Sequence, residues 1–365
     1  MALTNSDIYS VVSRIASNIA GMTIKTDNPL LTKAIDQPSK LINGFSFWQK
    51  VVVQMLLTGN SYVLMKRDGN NIPREFIQIP ASNVQINILS TAAGDKVNDI
   101  IYTVNLTEDN NKQFTLPSSD ILHFRCLVNG NDAQTNGYCG ISPLVSLAQE
   151  VAIQDKSNRL SVAALQNAIA PTYALKIPGV QVDPEDRENL RKNFEASISG
   201  SNLGRPVILD QSMDVAPLAV NPNIDKLLSN SEFSQSQIAK AFGIPTEYLN
   251  GQGDEQSSIQ MMSSLYVNAL AQYINPIISE MELKFGCSVR ADFSSLADVD
   301  HQQLIANVVS LSAGKNTVIP QATALRILKN ANALGLGDIS SDDLKADLAS
   351  QPTSSPPEGD DNNEP

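Results

Sequence analysis

Histidine, tryptophan and cysteine are scarce here: two, one and three among 365 residues. The scarcity closes off several chemistries. His123 and His301 lack metal-ligand spacing, and neither HExxH nor the phosphate-cradling GxxxxGK[ST] occurs. No GxSxG nucleophile elbow is present. Ser312-Ala-Gly-Lys315 has the SxxK form without its Ser-Asp-Asn and Lys-Thr-Gly companions, and reads as a chance match. Cys126, Cys139 and Cys287 form no CxxC pair, so three free thiols of a reducing compartment are expected rather than a zinc or redox site. His123 and Cys126 resemble half a metal site, but His123 lies in an apolar run and reads as a hydrogen-bonded structural histidine. The expectation is no catalytic residues, no metal and no cofactor. No apolar run approaches the ~20 residues of a membrane span. The N-terminus lacks a basic region followed by an apolar stretch, so no secretory signal is expected.

Charge is also sparse, at 18% against a usual ~25%. The 26 basic and 38 acidic residues leave a net −12, which excludes a protein that grips nucleic acid by overall charge. The imbalance is local. Asp338–Pro365 holds eight acids and one base (Lys345), net −7, leaving −5 for the rest. The pairs Asp342-Asp343 and Asp360-Asp361 lie there and read as solvated charge. With 42% hydrophobic residues the chain is not globally disordered, and its length fits about two to three domains.

What is present is a succession of patterned segments. Ser6–Ala20 is amphipathic, with Ser6 as the expected cap, and a polar connector follows over Asp27–Ile42. Phe45–Leu57 carries Phe45, Trp48, Val52, Met55 and Leu56 at helical spacing and stops at Gly59-Asn60. Strands are predicted over Ser61–Lys66, Phe76–Ile79, Val84–Leu89, Ile100–Leu106 and Ile121–Phe124, with a hairpin turn at Arg67-Asp68-Gly69-Asn70. Residues 60–126 thus read as a small β-rich unit packed on the Phe45 helix. After a polar loop over Asn129–Gly140, Ser142-Pro143 reads as the start of a helix of about 30 residues ending near Ala170, ~45 Å long. Asp183-Pro184 opens a charged helix to Gly200, and Val207–Leu209 with Val215–Val220 reads as a hairpin. Ile224–Phe242 is helical and broken by Gly243-Ile244-Pro245, and Gly251–Ser258 reads as a mobile loop. Ile259–Phe285 is the most periodic segment, with a kink expected at Pro276. Val289–Phe293 reads as a strand, His301–Ser312 and Gln321–Leu334 as helices, and Gln351–Pro365 as disordered.

The basic residues read first as surface ion pairs: Lys156 and Arg159 beside Glu150 and Asp155, and Arg187, Arg191 and Lys192 among Asp183, Glu185, Asp186, Glu188 and Glu195. The mixed helix at 184–199 can equally present a polar docking face to a protein. The order of parts, two long helices flanking an α/β excursion, suits a component of a ring or tube more than an enzyme.

Several motifs in order resemble the portal proteins of tailed bacteriophages. They are Phe45-Ser-Phe-Trp48 with Leu56-Leu-Thr-Gly59-Asn60-Ser-Tyr62; Asp120-Ile-Leu-His123-Phe-Arg125 followed by Tyr138 and Gly140-Ile-Ser-Pro143-Leu144; and Ala241-Phe-Gly243-Ile-Pro245 with Tyr248-Leu249. The resemblance covers about 6–343 and implies an α+β portal-type fold. Residues 1–140 with strand 289–293 would form a wing. Residues 141–171 and 223–250 would be the stem helices, carrying Lys156, Arg159, Lys226 and Lys240. Residues 172–222 would be a clip, its docking face at Asp186, Arg187, Arg191, Lys192 and Glu195. Gly251, Gln252, Gly253, Asp254, Glu255, Gln256, Ser257 and Ser258 would be a tunnel loop. The kinked helix and wing strand would take 259–300, the crown 301–337, and the acidic tail 338–365. Trp48, Gly59, Asn60, His123, Arg125, Pro143, Gly243, Pro245 and Pro276 would be structural.

By the same resemblance the protein would form a homo-oligomer, a dodecamer in the virion, at one capsid vertex, assembled in the host cytoplasm. Double-stranded DNA would pass through it. Its partners would be the large terminase subunit, then a head–tail adaptor, and the major capsid or scaffolding protein, with no membrane involved. Two departures stand out: the N-terminus is short beside many relatives, and the 251–258 loop carries Asp254 and Glu255 without a base. Taken on the residues alone, another ring of the head–tail junction or a cytosolic α+β enzyme stays open.

Overall fold

The structure, a computed structural model, describes residues 2–90, 97–106, 112–130, 137–169, 173–176, 183–198, 214–217, 224–246, 259–292, 301–312, 318–331 and 333. The loop at 251–258, the strand at 207–209 and the tail from 338 lie outside them. The chain divides into two units, Met1–Val145 with Ala239–Pro365, and Ser146–Ile238.

The first unit opens with α1 (Ser6–Ala20). Its cap is Asn5, not Ser6: Asn5 keeps an extended backbone, and its side chain accepts from the amides of Asp7 (3.0 Å) and Ile8 (3.1 Å). β1 (Thr23–Thr26) follows. The expected polar connector contains a helix, α2 (Pro29–Asp36), capped by Asn28 with proline in the first turn and burying Leu31, Ala34 and Ile35. α3 (Gly44–Thr58) buries Phe47, Trp48, Val51, Val52, Met55 and Leu56. The Trp48 indole donates to the Ile35 carbonyl at 2.8 Å, and its ring lies 5.2–6.4 Å from those of Phe47, Phe76 and Phe124.

β2 (Asn60–Arg67) is the centre of an antiparallel sheet, between β3 (Pro73–Ile79) and the later strand at Ile121–Arg125. In the β2–β3 turn the left-handed residue is Asn71 (φ 63°), not Gly69. The Asp68 carboxylate holds the turn by accepting from the amides of Ile72 and Asn70, and the Ile72 bond, then the Arg74 guanidinium, keep its pKa below the ordinary value. A second antiparallel sheet orders β4 (Val84–Ser90), β5 (Val97–Leu106) and β6 (Lys112–Pro117). β6 went unread in the sequence. Register places Val84, Ile86 and Ile88 opposite Val104, Tyr102 and Ile100, and this face packs on Tyr62, Ile79 and Ile121. β7 (Ile121–Arg125) closes the first sheet, and β8 (Leu127–Val128) pairs with β9 (Gly140–Ile141).

Ser142-Pro143 opens a 3₁₀ turn, Pro143–Val145, rather than the long helix. The Ser142 hydroxyl is already committed: it donates to the Leu56 carbonyl (2.6 Å) and accepts from the Leu144 amide (3.1 Å). α4 therefore begins at Ala148 and runs to Ile169, ~33 Å at the helical rise.

In the second unit β10 (Tyr173–Lys176) pairs antiparallel with β11 (Asp214–Pro217), so the described partner of the strand near Val215 comes from before the charged helix. α5 spans Pro184–Ile198 and α6 Ile224–Ala241. α6 ends in a Schellman turn: Gly243 is left-handed (φ 68°), and the Ile244 and Gly243 amides donate to the carbonyls of Ala239 and Lys240.

α7 (Ile259–Phe285) returns to the first unit and continues through Pro276, burying Tyr266, Leu270, Tyr273, Ile274, Ile277 and Met281. Its Tyr273 hydroxyl and Gln272 amide both donate to the Phe242 carbonyl. β12 (Val289–Asp292) pairs with β1. α8 (Gln302–Ser312) and α9 (Gln321–Asn330) share a small core of Val308, Ala324, Leu328 and Ala333.

Candidate functional site

The end of α3 sets the geometry of the first unit. Gly59 is left-handed (φ 83°), and a Cβ there would meet the Gly140 carbonyl oxygen and lie 2.6 Å from the Ser142 nitrogen. Two backbones thus touch where the chain leaves β9. Asn60 ties them: its amide nitrogen donates to the Gly140 carbonyl (2.9 Å), and its oxygen accepts from the Gly140 amide (2.7 Å).

That bond also assigns the histidine beside it. Because Gly140 N–H can only donate, the Asn60 atom facing it is oxygen, so His123 Nε2, 2.9 Å from the same oxygen, must donate. Nδ1 is then the acceptor for the Tyr102 hydroxyl at 3.1 Å. His123 is 1% exposed and lies against the Tyr62 ring, centroids 4.5 Å apart. Burial, reinforced by the charges of Arg125 and Lys284, holds its pKa well below the ordinary value, so it is neutral. Burial likewise pushes the Tyr102 hydroxyl up to about 12.

The neighbouring strand residue links to α7. Glu280 accepts from the His123 amide (3.2 Å) and pairs with the Arg125 guanidinium (3.3 Å). Arg125 also donates to the carbonyls of Tyr138 (2.7 Å) and His123 (3.0 Å). One turn on, Lys284 donates to the Ser118 carbonyl (2.6 Å) with its ammonium 4.0 Å from Glu280. Burial lowers the Lys284 pKa, against the opposing pull of Glu280. One carboxylate and two cations thus clamp α7 to β7 and to the segment entering Gly140. Glu280, Arg125 and Lys284 are engaged with backbone or counter-ion and His123 with the Asn60 and Tyr102 side chains, an arrangement suited to a mechanical joint. Among the described residues no group of three His, Cys, Asp or Glu is placed to hold a metal ion, and no helix is long and apolar enough to cross a membrane.

Of the residues singled out in the sequence, Gly59, Asn60, His123 and Arg125 meet in this joint. Trp48 lies on the buried face of α3, Pro143 in the 3₁₀ turn, Gly243 and Pro245 after α6, and Pro276 within α7. The charged set is elsewhere. Lys156 and Arg159 are exposed on α4, Arg159 pairing with Asp155 at 3.0 Å. Asp186, Arg187, Arg191, Lys192 and Glu195 are exposed on α5, where Arg191 pairs with Glu188 (2.7 Å) and Glu195 (3.7 Å). Lys240 is exposed on α6, and the Lys226 side chain lies outside the description. Glu280, Lys284 and Tyr102 went unread. An acid three residues after Ile277, on the apolar stripe of α7, was the available signal.

Comparison with known proteins decides the family. Residues 6–315 match the sequence model of the phage portal protein. The chain belongs to the phage portal protein family. The match begins with α1 and ends after α8, so it takes in both units and the whole joint. The portal protein of Enterobacteria phage HK97 is 20% identical over 266 residues, 71% of this chain and 57% of that protein, so the portal chain here spans little more than half its relative's length. Two solved structures share the fold. One is from the neck of a native gene transfer agent particle computed with C12 symmetry, with TM-score 0.63 at 18% identity over 90% of each chain. The other is an HK97-family phage portal protein from Corynebacterium diphtheriae, with TM-score 0.56 at 15% identity over 81% of this chain and 95% of that one.

Proposed function

We propose that the protein is a head–tail connector: a ring-forming portal at one capsid vertex, without catalysis of its own, through which double-stranded DNA is packaged and ejected. The observation that carries this reading is the family match running in order through both units. The C12 neck structure that shares the fold supports twelve copies. A second support is α4, on which Ile153 (57%), Leu160 (46%) and Val162 (54%) stand exposed. A helix that carries large apolar side chains in the open is suited to cover by a neighbouring copy.

On this reading α4 and α6 are the stem and residues 172–222 the clip, where α5 meets the large terminase subunit and later a head–tail adaptor. Residues 1–140 with 289–293 are the wing, facing the major capsid or scaffolding protein, and 301–337 the crown. Residues 251–258 face the DNA. Asp254 and Glu255 there repel phosphate, which limits friction in a conduit. The joint at Asn60, His123, Arg125 and Glu280 fixes the helix above that loop to the wing. Assembly takes place in the host cytoplasm and the ring resides in the virion. Imaging of negatively stained purified protein, with light scattering, tests this. Rings with a central hole are expected, whereas a monomer that persists even with capsid protein present overturns it.

A further inference from the structure

Between α2 and the start of β3 lies an open groove of about 550 Å³. Leu30, Ala34, Pro38 and Ile42 supply its apolar lining, and Lys33 and Lys40 its charge. Arg74 and Glu75 also line it but are already paired, with Asp68 at 2.8 Å and Lys66 at 3.3 Å. Lys33 and Lys40 make no ion pair among the described residues and are exposed. Leu41, between two lining residues, is 97% exposed, and Leu30 is 45% exposed. Residues 1–140 hold eleven acidic and eleven basic residues, so a groove whose uncompensated charges are both positive is a local feature of a balanced region. Exposed leucine beside uncompensated lysine calls for an occupant that is both apolar and acidic.

The chain carries such a segment. Residues 334–365 form the longest stretch beyond the described residues, with net charge −7. All its large apolar residues but Leu334 and Leu336 fall in Asp338–Ala349, where Ile339, Leu344 and Leu348 alternate with Asp338, Asp342, Asp343 and Asp347. Leu344 and Leu348 stand four apart, with Asp343 and Asp347 beside them at the same spacing.

We propose that the groove between α2 and β3 is the docking site for the acidic segment Asp338–Ala349 of this polypeptide, its leucines against Leu30 and Leu41 and its aspartates against Lys33 and Lys40. This requires no ring and stands apart from the reading above.

The test uses the full chain carrying a photo-crosslinking phenylalanine analogue in place of Leu344, with crosslinks mapped by mass spectrometry. Crosslinks into residues 30–42 are expected, and Lys33→Glu with Lys40→Glu should lower their yield about tenfold. Crosslinks confined to other parts of the chain, or a yield unmoved by the charge reversal, overturn the proposal. A second measurement leaves the groove untouched: changing Asp338, Asp342, Asp343 and Asp347 to Asn should raise amide exchange over 30–42. Unchanged exchange overturns the proposal, as does protection that arises only when capsid protein is added, since the occupant is then the partner.

Discussion

α3 and α4 are both helices of a portal-family chain, yet they are built for different surroundings. In 15 residues α3 buries six large side chains, and its two ends are closed by Asn43 and a left-handed Gly59. Among the described side chains of α4 only Gln154 is buried, while Ile153, Leu160 and Val162 face outward. The first helix packs most of its apolar side chains within its own chain, with Phe45, which the sequence placed on the apolar stripe, left 46% exposed in its first turn. The second keeps apolar surface in reserve. The difference separates two expected readouts: substitutions around α3 should register in stability and, on the proposed function, those on α4 in oligomeric state.

The largest expected effect is at the closed end. Gly59→Ala puts a Cβ into the backbone of Gly140–Ser142 at a φ of 83°, and should cost about 3 kcal/mol in denaturant unfolding. Next is Glu280→Gln, which leaves Arg125 without its counter-ion. A loss of about 2 kcal/mol is expected, and a double-mutant cycle with Arg125→Met should show coupling between the two sites.

A smaller effect is pH-dependent. His123 is held well below its ordinary pKa in the folded chain, so the unfolded chain takes up the proton first. Its contribution is complete above about pH 7 and shrinks as pH falls below ~6.5, by up to ~1.4 kcal/mol per pH unit. His123→Gln should flatten the denaturation midpoint between pH 7 and 5.5. The smallest effect on stability belongs to Ile153→Asp, within about 0.5 kcal/mol, yet it should abolish ring formation by light scattering. If it instead unfolds the chain as Gly59→Ala does, the contrast between the two helices fails.

The sequence was most legible where one apolar period ran unbroken. α1 and α7 have the spans their stripes predict. α2 was missed because eight residues hold barely two turns, too few for the period to stand out from a polar connector. β1 and β6 were missed because Thr-Ile-Lys-Thr and Lys-Gln-Phe-Thr-Leu-Pro are strands by virtue of partners, β12 and β5, that no local pattern announces. Ser142-Pro143 has the form of a helix start, but the serine hydroxyl bonds to Leu56, 86 residues away. The joint was half legible. Asn60, His123 and Arg125 lie in motifs, whereas Glu280 was absorbed into an amphipathic stripe. Its partnership with Arg125 is a tertiary fact.

The contact between Glu280 and the His123 amide spans 157 residues of chain, and that separation has a clock attached. At about 5–20 residues per second of synthesis, β7 leaves the ribosome roughly 8–30 s before the helix turn that neutralises it. For that interval Arg125 has no carboxylate from α7, and the face of β7 meant for that helix is open to water. Until then the strand waits on a helix of its own chain made 157 residues later.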